Sequence, residues 1–160
     1  MKLTHQVAAL PWRRGKSGVE ILLVTTRTTK RWVIPKGWPM DGKSDHAAAA
    51  LEAYEEAGVR GRIANEMFGR FSYFKVTDKG KARSVTVAVY PLLVDNELKD
   101  WPERPERERR WMIGAEACAM AGEPELVPVL KRFIDDPPDD KLYPAAEKKS
   151  FWQRLWTMFR

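Results

Sequence analysis

The sequence has little of what several classes of protein require. It contains one cysteine, Cys118, so neither an intrachain disulfide nor a cysteine-based zinc site can form. No apolar run approaches the roughly 20 residues that a helix needs to cross a bilayer. The N-terminus has a single cation before an apolar stretch that polar residues 4–6 interrupt, which is a poor match to a signal peptide. We therefore expect a cytoplasmic, reducing compartment.

The composition is that of one folded domain. Hydrophobic residues make up 44% and charged residues 31% of the 160 positions, which supports a real core and excludes disorder across the chain. The 28 Lys and Arg outnumber the 22 Asp and Glu, which gives a formal net charge of +6. The basic residues concentrate in segments 27–36, 104–110 and 145–160. Such clusters attract polyphosphates, nucleic acids or anionic membranes, although a solvated basic surface is the simpler alternative.

Short apolar runs and turn residues alternate along most of the chain, which predicts a mixture of strands and helices. We expect strands over 7–10, 19–24, 32–34, 62–76, 83–94 and 111–113, and helices over 46–57, 115–120 and 125–134. The turn at 77–80 should join the two long β segments as a hairpin. Ser44 or Asp45 should cap the first helix, and Gly58 should end it.

The acidic, proline-containing stretch 135–140 marks the end of the predicted domain. We therefore divide the chain into a domain over 1–134, a linker over 135–150 and an amphipathic helix over 151–160. The apolar residues of this last segment share one helical face, and they are Phe151, Trp152, Leu155, Trp156 and Phe159. Ten helical residues reach only about 15 Å, too short to span a bilayer. The helix could associate with its own domain or a second copy, or it could bind a membrane surface.

Three glutamates carry the main chemical signal. Glu52, Glu55 and Glu56 have the spacing i, i+3 and i+4, which places their carboxylates on one face of the predicted helix. An exposed acidic face would explain this pattern, but the helix follows a glycine-containing loop at a strand end, and basic segments lie nearby in the sequence. Mg²⁺ binds through one or two carboxylates together with water and substrate phosphate. The pattern therefore favours a site for a metal ion and a phosphate ester or anhydride.

From Gly37 to Val59 the chain resembles the Nudix box, G-x5-E-x7-R-E-U-x-E-E-x-G-U, where U is aliphatic. The positions in register are Gly37, Glu52, Ala53, Glu55, Glu56, Gly58 and Val59. Two positions depart from the pattern, because Lys43 replaces a glutamate and Leu51 replaces an arginine. In the family these two residues typically pair and brace the loop against the helix. Replacing both leaves no unpaired charge behind.

The resemblance extends over roughly residues 4–134. The segments RWVIPKG, KARSVTVAVYPLLVDNELKDW and RERRWMIGAEACAM are similar to the diphosphoinositol polyphosphate phosphohydrolases, a Nudix branch that also cleaves dinucleoside polyphosphates. This resemblance implies an α/β fold, an α/β/α sandwich around a mixed sheet. It also implies a metal-dependent pyrophosphohydrolase whose partner is a polyphosphorylated small molecule.

The resemblance assigns roles residue by residue. Glu52 and Glu56, together with Glu55, would hold Mg²⁺ or Mn²⁺, and Glu55 would also be the general base. Substrate contacts are expected from the basic residues and the loop glycine: Arg31, Lys36, Gly37, Lys43, Arg83, Arg107 and Arg109. Trp32 and Trp38 flank the loop and could stack on a nucleobase or pack in the core.

Two alternatives stay open within the same resemblance. The chain could be another Nudix hydrolase that acts on nucleoside diphosphates linked to a further group. It could also be a polyphosphate-binding module of low activity, for which Lys43 and Leu51 are the only support. We do not expect nucleic acid as the main partner, because the sequence carries no signature of a nucleic-acid-binding fold.

Overall fold

The computed structural model describes residues 4–139 and Tyr143, so the predicted helix over 151–160 lies outside the described residues. Its elements are β1 (His5–Gly15), β2 (Gly18–Thr25), β3 (Trp32–Val33), β4 (Lys36–Gly37), α1 (Asp45–Ala57), β5 (Val59–Ile63), β6 (Gly69–Val76), β7 (Ala82–Glu97), a 3₁₀ helix (Arg104–Glu106), β8 (Arg109–Ile113), α2 (Gly114–Met120) and α3 (Leu126–Asp135). Within the described ranges, no helix is both long and apolar enough to cross a membrane.

The sheet is mixed, as predicted. Its centre is a parallel pair, β1 and β7, aligned from His5 opposite Thr86 to Trp12 opposite Leu93. The other pairings between the strands named above are antiparallel: β2 and β4 pair with β1, β5 and β6 pair with β7, and β3 and β8 pair with β2. The short strand β4 therefore brings the end of the basic segment 27–36 back to the centre of the sheet.

The central strand β1 is buried on both faces, which explains its nearly continuous apolar sequence. Val7 and Ala9 pack in a core that includes the alanines of α1. Leu10 and Trp12 point to the opposite side, where they pack in a core that includes Phe133 of α3. The sheet thus has α1 on one face and α2 with α3 on the other, which confirms the predicted α/β/α sandwich.

Helix α1 begins one residue before its predicted start and ends at the predicted residue. Ser44 is the N-cap, and its hydroxyl accepts the Ala47 backbone N–H at 3.3 Å. Gly58 ends the helix with φ of 64°, a left-handed conformation that glycine adopts without steric cost. The buried face of the helix consists mostly of alanines, and these small side chains let α1 lie close against the sheet.

The single strand predicted over 62–76 is wrong. The chain forms two strands there, β5 and β6, and each pairs with a different part of the 16-residue β7. Between them, the exposed residues 65–67 leave the sheet, while the backbone N–H groups of Ala64 and Phe68 still donate to Pro91 and Val89, both at 2.8 Å. A break that keeps apolar residues on both sides leaves no clear mark in a hydrophobicity pattern. The hairpin between β6 and β7 is confirmed.

Gly58→Ala should destabilise the fold more than the same change at Gly42. Both glycines have positive φ, but a Cβ at Gly58 would lie 2.7 Å from Trp101 and from the Arg109 guanidinium, whereas a Cβ at Gly42 meets nothing within 4 Å. We expect losses in unfolding free energy of about 3 kcal/mol and about 1 kcal/mol, respectively, measured by urea denaturation. Equal losses at the two positions would contradict this account.

Candidate active site

A cleft of about 720 Å³ opens beside β4 and α1, and most of the predicted site residues line it. The lining includes Arg31, Lys36, Gly37, Glu52, Glu55, Glu56 and Arg107 among the predicted residues. It also includes residues that sequence reasoning did not select: Gln6, Arg27, Tyr73, Lys75, Glu103 and Glu123. The predicted residues Lys43, Arg83 and Arg109 do not belong to this lining.

The loop backbone lies directly against the glutamates of α1. Gly37 is on β4, paired with Val7 of the central strand, and a Cβ at Gly37 would collide with the Glu52 carboxyl group. The constraint at this position is close approach and not an unusual φ, because a side chain here would displace the Glu52 carboxyl group. The hydrogen bond from the Lys36 backbone N–H to the Glu56 carboxylate ties the same strand to the next turn of the helix.

Glu52 and Glu56 are neighbours one turn apart on α1, with Glu56 buried and Glu52 partly buried. Burial, followed by the charges of Glu56 and Glu55, raises the pKa of Glu52 to about 9. Burial raises the pKa of Glu56 to about 7, against the opposing effect of the Arg107 guanidinium. Burial therefore outweighs the nearby positive charge at Glu56.

Glu55 lies on the same face of α1 but is less buried than Glu56. Burial is the main cause that raises its pKa, and the charge of Glu103 adds to the effect. The backbone carbonyl of Glu55 accepts the Glu103 N–H at 3.0 Å, so the segment before the 3₁₀ helix is fastened to α1 at this point.

A divalent cation fits this donor set. Carboxylate oxygens are the ligands that Mg²⁺ and Mn²⁺ prefer, and a cation would offset the cost of keeping Glu52 and Glu56 charged at this place. As the side chains stand, no three His, Cys, Asp or Glu of residues 4–139 are grouped so that they could hold a metal ion together. Mg²⁺ commonly uses only one or two carboxylates and completes its shell with water and phosphate. Ligation by all three glutamates stays a prediction.

Arg107 connects the carboxylates to the basic wall of the cleft. Its side chain is only 10% exposed, and its Nη2 lies 3.6 Å from Glu56 Oε2. Its Nε donates to Glu103 at 3.0 Å, and its Nη1 donates to the Thr25 carbonyl at 3.0 Å. Arg27 Nη2 also lies 2.6 Å from Glu103. Burial alone would raise the pKa of Glu103, but the hydrogen bonds from Arg27 and Arg107 lower it.

Lys36 lies against an aromatic and amide pair on the sheet. Its Nζ is 4.9 Å from the centre of the Tyr73 ring, and the Tyr73 hydroxyl donates to Gln6 at 2.6 Å. Burial lowers the pKa of the Lys36 ammonium, while Glu56 and Glu123 counteract that effect. Glu123 is 5% exposed and comes from the turn between α2 and α3, so only the fold brings it here.

The two departures from the box do not belong to the cleft lining. Lys43 lies one residue before the N-cap of α1 and nine positions before Glu52 in the chain. A contact between Lys43 and substrate stays a prediction. Leu51 is buried with 2% exposure, so apolar packing occupies the position where the family has a charged residue.

Arg83 lies beside the cleft rather than in its lining. Its guanidinium is 5.9 Å from the centre of the Trp38 ring, and Lys75 Nζ is 5.1 Å from the same ring. The register of β6 and β7 places Lys75 and Arg83 opposite each other. The cationic groups of Lys75 and Arg83 therefore both lie over the Trp38 ring, and Trp38 lines the cleft next to Gly37.

Arg109 stabilises the fold and does not line the cleft. Its Nη1 donates to the carbonyls of Ala57 and Gly58 at the end of α1, and its Nη2 donates to the Leu98 carbonyl at 2.5 Å. The guanidinium also stacks 3.9 Å from the centre of the Trp101 ring. Sequence reasoning could not separate it from Arg107, because both belong to one arginine-rich segment and only their tertiary contacts differ.

Comparisons with known proteins agree with this geometry. A family model described as the NUDIX domain matches residues 3–136. Nudix hydrolase 21, chloroplastic, of Arabidopsis thaliana is 32% identical over 136 residues, which cover 81% of this chain and 65% of that protein. Human diphosphoinositol polyphosphate phosphohydrolase 3-beta is 30% identical over 108 residues, which cover 66% of this chain and 62% of that protein. The chain spans just under two thirds of the length of the curated relatives it matches.

The fold also matches solved structures. The crystal structure of a C. elegans Ap4A hydrolase binary complex has a TM-score of 0.60 and 21% sequence identity, and covers 82% of this chain and 95% of that chain. An identity this low shows a common fold alone.

Arg109→Ala should lower the stability of the protein, because it leaves carbonyls at the end of α1 without their donor. We expect a loss of about 3 kcal/mol in unfolding free energy, measured by urea denaturation. Arg110→Ala is the matched control, since Arg110 is exposed and, within the described part of the chain, forms an ion pair with Glu116 alone, at 3.1 Å. Its loss should stay below about 0.5 kcal/mol. An Arg109→Ala protein as stable as the unmodified chain would contradict this structural role of Arg109.

Proposed function

The chain belongs to the NUDIX family, and we propose that it is a metal-dependent pyrophosphohydrolase acting on a diphosphoinositol polyphosphate or a dinucleoside polyphosphate. One observation carries the proposal: a single cleft holds Glu52, Glu55 and Glu56 against Lys36 and Arg107. Carboxylates suited to a divalent cation, next to fixed cations, are what the cleavage of a phosphoanhydride needs. The relatives named as a diphosphoinositol polyphosphate phosphohydrolase and as an Ap4A hydrolase support the two substrate classes.

The chemistry divides between the acidic and basic sides of the cleft. Glu52 and Glu56 would hold Mg²⁺ or Mn²⁺, which would supply positive charge to the phosphate oxygens as the reaction proceeds. Glu55 accepts a proton from the attacking water while that oxygen forms its bond to phosphorus. The P–O bond of the anhydride breaks on the opposite side, and the leaving phosphate takes the bonding electron pair. Arg107 and Lys36 stabilise the negative charge that develops.

The surroundings of Trp38 support a substrate with many phosphates. Lys75 and Arg83 both lie over its ring, so cations already occupy the aromatic surface that a nucleobase would need for stacking. Lys75 lines the cleft and Arg83 lies opposite it on the neighbouring strand, so both add positive charge at this side of the site. Of the two substrate classes, this arrangement favours the diphosphoinositol polyphosphate.

A substrate panel tests the proposal. Phosphate and nucleotide release should be measured with diphosphoinositol polyphosphates, dinucleoside polyphosphates and nucleoside diphosphate sugars, each with Mg²⁺ and with EDTA. We expect turnover of at least one of the first two classes, its loss with EDTA and its return when Mg²⁺ is added in excess. Turnover restricted to adenosine-containing compounds would exclude the inositol assignment. Turnover that EDTA leaves unchanged would exclude a metal-dependent reaction.

Glu55→Gln and Glu56→Gln should each reduce kcat by about 100-fold or more, because one removes the proton acceptor and the other a metal ligand. Glu66→Gln is the control, since Glu66 is exposed on the loop between β5 and β6 and does not line the cleft. Steady-state kinetics with the best substrate of the panel provides the measurement, and thermal unfolding checks that the variants are folded. Full activity in the Glu55 variant would remove it from the mechanism.

A further inference from the structure

The buried carboxylate of Glu123 has no role in the mechanism described so far. It is 5% exposed, it lines the cleft, and it comes from the turn between α2 and α3, far in sequence from the box. Its Oε1 lies 3.4 Å from Arg31 Nη2. A buried acid is costly unless it is paired, so this contact accounts for how the carboxylate is tolerated but not for why it lies in the cleft.

The backbone around Glu123 is fixed to the segment that carries Arg31. Gly122 N–H donates to the Trp32 carbonyl at 2.7 Å, and Trp32 and Ala121 form a parallel bridge. A Cβ at Gly122 would lie 2.7 Å from the Arg31 Cβ, so the turn lies directly against the arginine side chain. Backbone contacts therefore bring the Cα atoms of Glu123 and Arg31 close enough for their side chains to meet.

The guanidinium of Arg31 is held along one edge. Its Nε donates to Thr29 Oγ1 at 3.2 Å, and its Nη2 faces Glu123. Its Nη1 has no acceptor among the residues that the structure describes. The backbone N–H of Arg31 also donates to Thr26 Oγ1 at 3.0 Å, which fixes the start of the side chain. An arginine held in this way keeps donors available in a fixed plane, which suits bidentate contact with phosphate.

We propose that Glu123 is a positioning residue that holds the Arg31 guanidinium in place as a phosphate clamp in the cleft. The proposal rests on the proposed function for the identity of the ligand as a phosphate compound. The alternative is that Glu123 only neutralises positive charge near Arg31 and Lys36. The two roles predict opposite effects when the charge of Glu123 is removed, because a positioning role loses phosphate affinity whereas a neutralising role gains it.

The test measures phosphate binding without turnover. Isothermal titration calorimetry with methylenediphosphonate and Mg²⁺ should compare the unmodified chain with Glu123→Gln, Arg31→Ala and the double variant. We expect Glu123→Gln to weaken binding by about tenfold, and we expect no further loss when it is added to Arg31→Ala. Glu116→Gln is the control, because Glu116 lies on α2 outside the cleft lining and should leave binding unchanged.

A second variant tests the same role without altering Glu123. Arg31→Lys keeps the positive charge but loses the planar edge that Glu123 and Thr29 hold, so it should bind methylenediphosphonate about as weakly as Arg31→Ala. Unchanged or tighter binding by Glu123→Gln would overturn the proposal, as would full binding by Arg31→Lys. No binding by the unmodified chain would also overturn it.

Hydrolysis of the best panel substrate adds a readout that separates this proposal from the proposed function. A positioning role should raise KM in Glu123→Gln with a smaller change in kcat. If the unmodified chain binds methylenediphosphonate but hydrolyses nothing, the proposed activity fails, while the role of Glu123 is still decided by the binding data.

Discussion

The negative charge of two neighbouring carboxyl groups, the partly buried Glu52 and the buried Glu56, is the constraint on which the rest of the site depends. Burial makes this charge costly and raises the pKa of both groups. The surroundings fit that constraint, because β4 approaches without a side chain at Gly37 and Arg107 lies 3.6 Å from Glu56. Because the pKa of Glu56 stays raised even beside Arg107, the cleft favours a divalent cation and the phosphate that accompanies it.

Acidic side chains contact the arginines of the cleft. Glu103 forms ion pairs with Arg27 and Arg107, and Glu123 forms one with Arg31, so each guanidinium has an acidic partner before any ligand binds. Pre-organised donors lose little freedom when they bind phosphate, and this benefit can outweigh the charge that each acid neutralises. Lys36 differs, because its ammonium rests on the Tyr73 ring. The cleft thus combines fixed guanidinium groups with a compact ammonium.

Much of the fold could be predicted from the sequence. The caps of α1, the strand around residues 7–10 and the hairpin all depend on local patterns, and the structure confirms them. The break between β5 and β6 could not be predicted, because it is set by pairing with different parts of β7. Leu51 and Lys43 show the same limit, since the sequence reveals that the usual charges are absent but not that Leu51 is buried and that Lys43 is outside the cleft lining.

The sequence by itself determined the family resemblance, the three glutamates on one helical face and the overall excess of basic residues near them. Helical periodicity acts over a single turn, so it can be read from spacing alone. Only the tertiary structure decided which cations join the site. Arg107 enters the cleft while Arg109 binds the end of α1, and Glu103 and Glu123 come in from distant segments. These assignments depend on strand register and on contacts between residues far apart in the chain, and no local pattern encodes either of them.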